Sequence, residues 1–209
     1  MTVRMIIMWP EPWLALKSDP VLPEEFNSDE MKELSKDLVD TMRATKGVGL
    51  SAIQLGVQKR IIVIPDPENT VPGMPLVLCN PELSELSEEK QSGQEGCLSL
   101  PQVLIPKERS VSVKVSGKLV TGDPYQTTMT GLYAVAAQHE YDHLEGKTIA
   151  DGIGPVKKSL VEAKLNKFLR ERDRENKNWK KVSEKAKAAR DAQTSPDDYT
   201  IPSSIISKT

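Results

Sequence analysis

Gln138-His139-Glu140-Tyr141-Asp142-His143, preceded by Gly131-Leu132-Tyr133-Ala134-Val135-Ala136-Ala137, decides how this chain folds. Four positions along an α-helix turn through roughly 400°, so the imidazoles of His139 and His143 leave one face and can converge on a single cation. Glu140 sits beside the first imidazole, where its carboxylate can reach a water next to that cation without ligating it. These are the only 2 histidines in 209 residues, which weakens the bland alternative of two unrelated core or surface histidines. The apolar, alanine-rich lead-in predicts a helix buried through the core, and Gly146 predicts its stop.

Outward from that helix, the whole chain sets bounds. A length of 209 residues is enough for one domain with a sizeable core. With 38% hydrophobic and 28% charged residues it reads as soluble and globular, and a net charge of −2 leaves no overall basic footprint for nucleic acid. Only Cys79 and Cys97 are present, which excludes a dense disulfide framework and fits a reducing compartment. No apolar run approaches membrane-spanning length. Residues 5–16 are broken by Pro10, Glu11 and Pro12, and no cleavage-site pattern follows, so a cytoplasmic address without membrane contact is expected.

Residues 8–25 are proline-rich and predict an irregular but ordered arm. Asn27 or Ser28 can cap a helix to about Thr45, with Met31, Leu34, Leu38, Val39 and Met42 as its apolar stripe. Residues 60–64 read as a buried strand, 65–75 as a loop, and 76–80 as a short strand. A further strand is expected between Leu83 and Lys90. Residues 110–120 alternate at period two, and after the Gly122-Asp123-Pro124 turn another short strand covers 126–129. The resulting expectation is an α+β fold, mostly antiparallel strands packed around a central helix carrying HExxH. Towards the C-terminus, Ser159 can cap a helix striped by Leu160, Leu165, Phe168 and Leu169. Residues 170–191 then carry nine Lys or Arg against five Asp or Glu. This predicts a solvated helix fraying into a mobile tail, or a basic handle for an RNA-rich partner.

A catalytic divalent metal needs a third ligand beside the two histidines. Cys97, in Glu95-Gly96-Cys97-Leu98-Ser99, is the candidate because Gly96 lets the backbone approach another element closely. Cys79 lies among Val77, Leu78 and Asn80-Pro81 and suits packing. Residues 47–54, Gly-Val-Gly-Leu-Ser-Ala-Ile-Gln, lack the Lys-Ser/Thr ending of a phosphate loop and follow a helix rather than a strand. They fit a tight turn that presents backbone groups to a peptide-like ligand. Gln54 is either an amide donor for an oxyanion or an ordinary polar residue at a helix start.

GVGLSAIQ at 47–54, EGCLS at 95–99 and QHEYDH at 138–143, in that order, resemble the three signature segments of the peptide deformylases, known from bacteria, organelles and bacteriophages. The similarity runs over about residues 5–170. It implies a catalytic domain at 1–170 and a charged extension at 171–209. The implied reaction is hydrolysis of the formyl group from formyl-methionyl nascent peptides, with release of formate. The resemblance makes Cys97, His139 and His143 the ligands of one divalent ion, with Fe2+ native in many members and Zn2+, Ni2+ or Co2+ also suited to the donors. Glu140 is then the proton carrier, while the Gln54 amide and the Leu98 N–H meet the oxyanion. Gly49 orients the formyl-methionine. Val48, Leu132 and Val135, with Ala136 beside them, line an apolar methionine pocket. Glu95 and Gln138 belong to the polar network around the site, and Asp142 accepts a histidine N–H or makes a salt bridge. Ser51 stands where the family usually has alanine, and the turn survives there if its hydroxyl finds a hydrogen bond. The stretch after Pro101 is short and lacks an arginine often present. The resemblance also implies ribosome contact through the C-terminal region, and a monomer is expected. Two rivals stay open: a general metallopeptidase or other metallo-amidase, and a ribosome- or RNA-binding module whose metal only holds the fold.

Overall fold

Ile61-Ile62-Val63-Ile64 is apolar on both faces that a strand's period-two geometry creates, so a sheet built on it needs cover on two sides. The computed structural model describes residues 3–68 and 75–191, with backbone alone from 175 onward. There this run forms β2 (Ile61–Pro65), the second strand of an antiparallel sheet. Its neighbours are β1 (Leu50–Ser51) on one side and β3 (Pro75–Ser84) on the other. The hairpin β4 (Lys90–Cys97) and β5 (Leu100–Ser110) forms a separate two-stranded sheet. β6 (Ser112–Lys118) and β7 (Pro124–Thr130) then complete the five-stranded order β1-β2-β3-β6-β7.

Two helices supply the cover. α1 (Asp29–Ala44) packs Met31, Leu38 and Met42 against Leu50, Ile61, Val63 and Cys79. α2 (Gly131–Leu144) packs Ala134, Ala136, Ala137 and Leu144 against Ile62, Ile64, Leu78, Val113, Val115 and Met129. The HExxH helix is therefore not a single centre ringed by strands. The fold is a mixed α+β arrangement of antiparallel sheets and helices, because β2 buries both faces and one helix covers only one of them. Each fully buried Leu or Ile in these layers contributes about 1.5–3 kcal/mol of burial.

The helix ends follow local chemistry. Ser28, rather than Asn27, caps α1, its Oγ accepting from the Met31 N–H at 3.1 Å. α2 ends at Leu144, and the chain turns away from it at Gly146, whose φ of +70° favours glycine. A Cβ there would also collide with the Ala15 carbonyl, because the N-terminal arm crosses at that point. The same arm satisfies the helix end, with the Ser18 N–H donating to the Leu144 carbonyl at 2.9 Å.

Several expectations shift. The strand expected between Leu83 and Lys90 is the end of β3 and, from Lys90, the start of β4. The run at 110–120 is broken at Val111, whose N–H turns to the Glu89 carbonyl. Of the loop at 65–75, residues 66–68 form a turn and 69–74 lie outside the described residues, as does the expected mobile tail at 192–209. Two compact units divide the chain, 1–100 with 104–152, and 101–103 with 153–209. In the second, α3 (Pro155–Asp191) begins on Pro155, ahead of the expected Ser159 cap, since a first-turn proline sacrifices no helical N–H bond. Of its expected stripe, Leu165 is buried and Phe168 and Leu169 are half-buried, but Leu160 is 61% exposed and Val161 takes its place. Among the described residues, no helix is long and apolar enough to cross a membrane.

Candidate metal centre

Cys97 closes β4, and the β4–β5 register shifts between Glu95 and Cys97. Two positions apart on one strand, Glu95 and Cys97 both turn inward while Gly96 stays exposed. Cys97 Sγ lies 3.2 Å from His143 Nε2. The ligand atoms of Cys97, His139 and His143 fall within 4.8 Å of one another, and all three residues are buried. Burial alone would raise the Cys97 thiol, but the two imidazoles outweigh it and bring it down to about 5. A thiolate is thus available at neutral pH. One thiolate and two imidazoles, close enough to share one centre, fit a single divalent cation. Cys79 contrasts in every respect. It packs in the α1 core with Sγ 4.0 Å from Met31 Sδ, and burial pushes its thiol up to about 12.

A ring of charge holds the first histidine. His139 Nδ1 lies 2.9 Å from Glu95 Oε2. Burial would raise the Glu95 carboxyl, yet His139 and Arg109 hold it at about 2. An ionised carboxylate only accepts, so Nδ1–H is the donor and the Nε2 lone pair is left for a cation. Arg109 donates to both Glu95 oxygens, at 2.7 Å from Nε and 3.0 Å from Nη2, and through Nη1 to Asp142 at 2.6 Å. Asp142 therefore acts on the histidine through Arg109 rather than directly. Gln138 makes its bonds elsewhere: its amide takes the Ser110 N–H, gives to the Ser110 and Ala134 carbonyls, and so ties α2 to the end of β5.

Glu140 is buried beside the two histidines. Burial, only partly offset by their charges, pushes its carboxyl up to about 7, and Oε2 has no hydrogen-bond partner among the described residues. A buried polar oxygen left unsatisfied needs a reason, and a proton-exchanging water is one. The carboxylate lies against Gly49: a Cβ there would stand 2.5 Å from Oε1 and 2.9 Å from Cγ. Gly49 is not in the left-handed region, so the glycine serves space rather than backbone freedom.

The turn at 47–54 docks on the sheet through β1, with Leu50 opposite Val63 and Ser51 opposite Ile62. Gln54 is 1% exposed. Its Nε2 donates to Ser99 Oγ at 3.0 Å and faces Cys97 Sγ at 3.6 Å, which brings the first two signature segments together. The N-terminal arm braces both: the Ile7 N–H donates to the Gln54 carbonyl and the Trp9 N–H to that of Ser99. Leu98 occupies the two-residue turn between Cys97 and Leu100, its side chain packed on the α1 core and over Gly47. Of the apolar residues, Val48 and Leu132 are 44% and 62% exposed, Val135 is half-buried and Ala136 lies in the α2 core.

The polypeptide deformylase model matches residues 3–159. The chain belongs to that family. A peptide deformylase of Erythrobacter litoralis is 38% identical over 191 residues, spanning 80% of this chain and 98% of the relative. Among solved deformylase structures, that of Legionella pneumophila aligns with a TM-score of 0.74 and 33% identity, over 83% of this chain and 99% of that one. The Acinetobacter baumannii enzyme with Met-Ala-Ser bound aligns at 0.68 and 34%, over 73% and 99%.

Within this deformylase chain, sequence reasoning missed Arg109, Ser99 and the work of Ser51. Arg109 follows Val103, Ile105 and Lys107 on the inward positions of β5, where the apolar signal has already given way to charge. Ser51 had a legible signal, the Ser-x-x-Gln spacing of a capping box, and Gln54 Oε1 does reach back to the Ser51 N–H at 2.9 Å.

Proposed function

We propose that this deformylase-family chain removes the formyl group from formyl-methionyl peptides at the Cys97, His139 and His143 centre, with Glu140 as its proton carrier. The observation that carries the assignment is the buried Glu140 carboxylate oxygen, unpartnered among the described residues, on the helix of two converging imidazoles. When bound, a divalent ion supplies Lewis acidity, which lowers the pKa of water and polarises a carbonyl. Glu140 takes a proton from the attacking water and delivers it to the leaving α-amine. The Gln54 side-chain amide and the Leu98 N–H donate to the oxyanion as it develops. Glu95 orients His139, and Arg109 with Asp142 orients Glu95.

Gly49 keeps room for the Glu140 carboxylate and presents its backbone to the formyl-methionine. Exposed Val48 and Leu132, with Val135 and Ala136 behind, supply the apolar wall for the methionine side chain. The Met-Ala-Ser bound by the Acinetobacter relative supports a formyl-Met-Ala-Ser substrate. Fe2+ is the proposed native ion. In this reading residues 1–170 form the catalytic domain, the charged extension at 171–209 contacts the ribosome, and the enzyme is a cytoplasmic monomer acting on nascent chains.

The test is formate release from formyl-Met-Ala-Ser by anaerobically prepared protein. Glu140→Ala is expected to keep its metal, since no ligand is touched, and to lose about 10²- to 10⁴-fold in turnover. Cleavage of internal peptide bonds without formate release supports a general metallopeptidase. A metal-loaded protein that melts on chelation and releases no formate supports a structural metal. Either result ends the proposal.

A further inference from the structure

Ser51 is fully buried, so its hydroxyl must be accounted for. It donates to Gln54 Oε1 at 3.0 Å, and the Ser51 backbone N–H donates to the same oxygen at 2.9 Å. Two donors fill both lone pairs of that oxygen. The far end of the amide is thereby fixed as nitrogen, and its two N–H groups face Ser99 Oγ and Cys97 Sγ. A methyl at position 51 leaves the backbone N–H as the single restraint on Oε1 and an unfilled lone pair in a dry pocket.

We propose that the Ser51 hydroxyl is a positioning residue that locks the Gln54 amide with its nitrogen on the Cys97 side, one N–H on the sulfur and the other, held by Ser99 Oγ, free to turn to the oxyanion. The inference rests on reading Gln54 as an oxyanion donor. Two segments far apart in sequence are then tied by one polar chain, Ser51 to Gln54 to Ser99 and Cys97. Its effect is greatest where the oxyanion develops, so it belongs to turnover rather than to substrate affinity.

The experiment is a double-mutant cycle of Ser51→Ala and Gln54→Ala, read in two ways: kcat and KM for formate release, and the sulfur-to-cobalt charge-transfer band of the cobalt-loaded proteins. A hydrogen bond to a thiolate stabilises its donor orbital, so loosening the amide moves that band to longer wavelength. Ser51→Ala is expected to lower kcat about three- to tenfold, the scale of one buried hydrogen bond, with KM within about twofold. Its band moves in the direction of the Gln54→Ala band, and in the Gln54→Ala background the second change alters neither readout. Ser51→Cys, near-isosteric but a weak donor, gives the same direction if the alanine variant folds poorly. Wild-type kcat and an unmoved band overturn the proposal, as does an equal loss of kcat in both backgrounds. If wild-type protein releases no formate, the functional reading fails while the band still decides the role of Ser51.

Discussion

Gly49→Ala separates space from chemistry at the centre of the site. The backbone there accepts alanine, because its φ lies outside the left-handed region, so any effect arises from the added methyl. That methyl would stand 2.5 Å from Glu140 Oε1, 2.9 Å from Cγ and 3.0 Å from Cδ, three contacts on one side chain. To regain ordinary contact at 3.4 Å, the oxygen must withdraw by about 0.9 Å, and a 1 Å misplacement of a reacting group costs on the order of 10²-fold in rate. Overpacking a filled site adds about 1–3 kcal/mol of destabilisation. The expected variant therefore binds metal at wild-type stoichiometry, melts a few degrees lower, and loses about 10²-fold in kcat/KM. Formate release, anaerobic metal analysis and thermal denaturation on one preparation measure all three. Turnover within threefold of wild type would refute the placement of Glu140 against Gly49, and loss of metal would show that the methyl disturbs the ligands instead.

Arg109→Ala removes both charge-assisted bonds to Glu95, whose side chain is only 6% exposed, and the one to Asp142. Leaving a buried carboxylate short of its partner costs about 3–5 kcal/mol. Metal affinity is expected to fall about 10- to 100-fold, as when a ligand histidine loses its outer support, measured by competition with a chelator. An unchanged affinity would place Arg109 outside the site. Cys79, buried with its thiol pushed up to about 12, is expected to stay unlabelled by a thiol reagent in the native protein and to react on unfolding. Rapid native labelling would show that the α1 core opens. The Glu25 carboxyl is held below its ordinary 4.5 by the Leu22 N–H and by Lys59. A depressed folded value means stability that is present above the unfolded pKa and lost as pH falls through the folded one. The melting-temperature advantage of wild type over Glu25→Ala is thus expected near neutrality and absent well below pH 4.5; an advantage that persists in acid contradicts it.

What could be read from sequence was local. The i, i+4 spacing of His139 and His143 is a property of any helix, and the α1 stripe and β2 run announce themselves by period and β-branching. The Ser-x-x-Gln capping spacing is equally local, and only its use was overlooked. What escaped was set by contacts across the chain. β4 is polar along its length, and on β5 the inward positions after Ile105 are held by Lys107 and Arg109, so the apolar signal stops before the residue that matters. Arg109 lies 14 positions from Glu95 and 33 from Asp142, and no spacing rule links them.

The same division holds at the centre itself. By itself the sequence determined which residue types were present in which order, and through helix geometry that two imidazoles leave one face, because those relations depend only on the residues' own neighbours. Tertiary structure alone decided that Cys97 meets His143 at 3.2 Å, that the Gln54 amide reaches Ser99, and that Gly49 leaves room for Glu140. Those distances depend on how β1 registers on β2 and how α2 settles on the sheet, which are set by burial of the whole core rather than by any one segment.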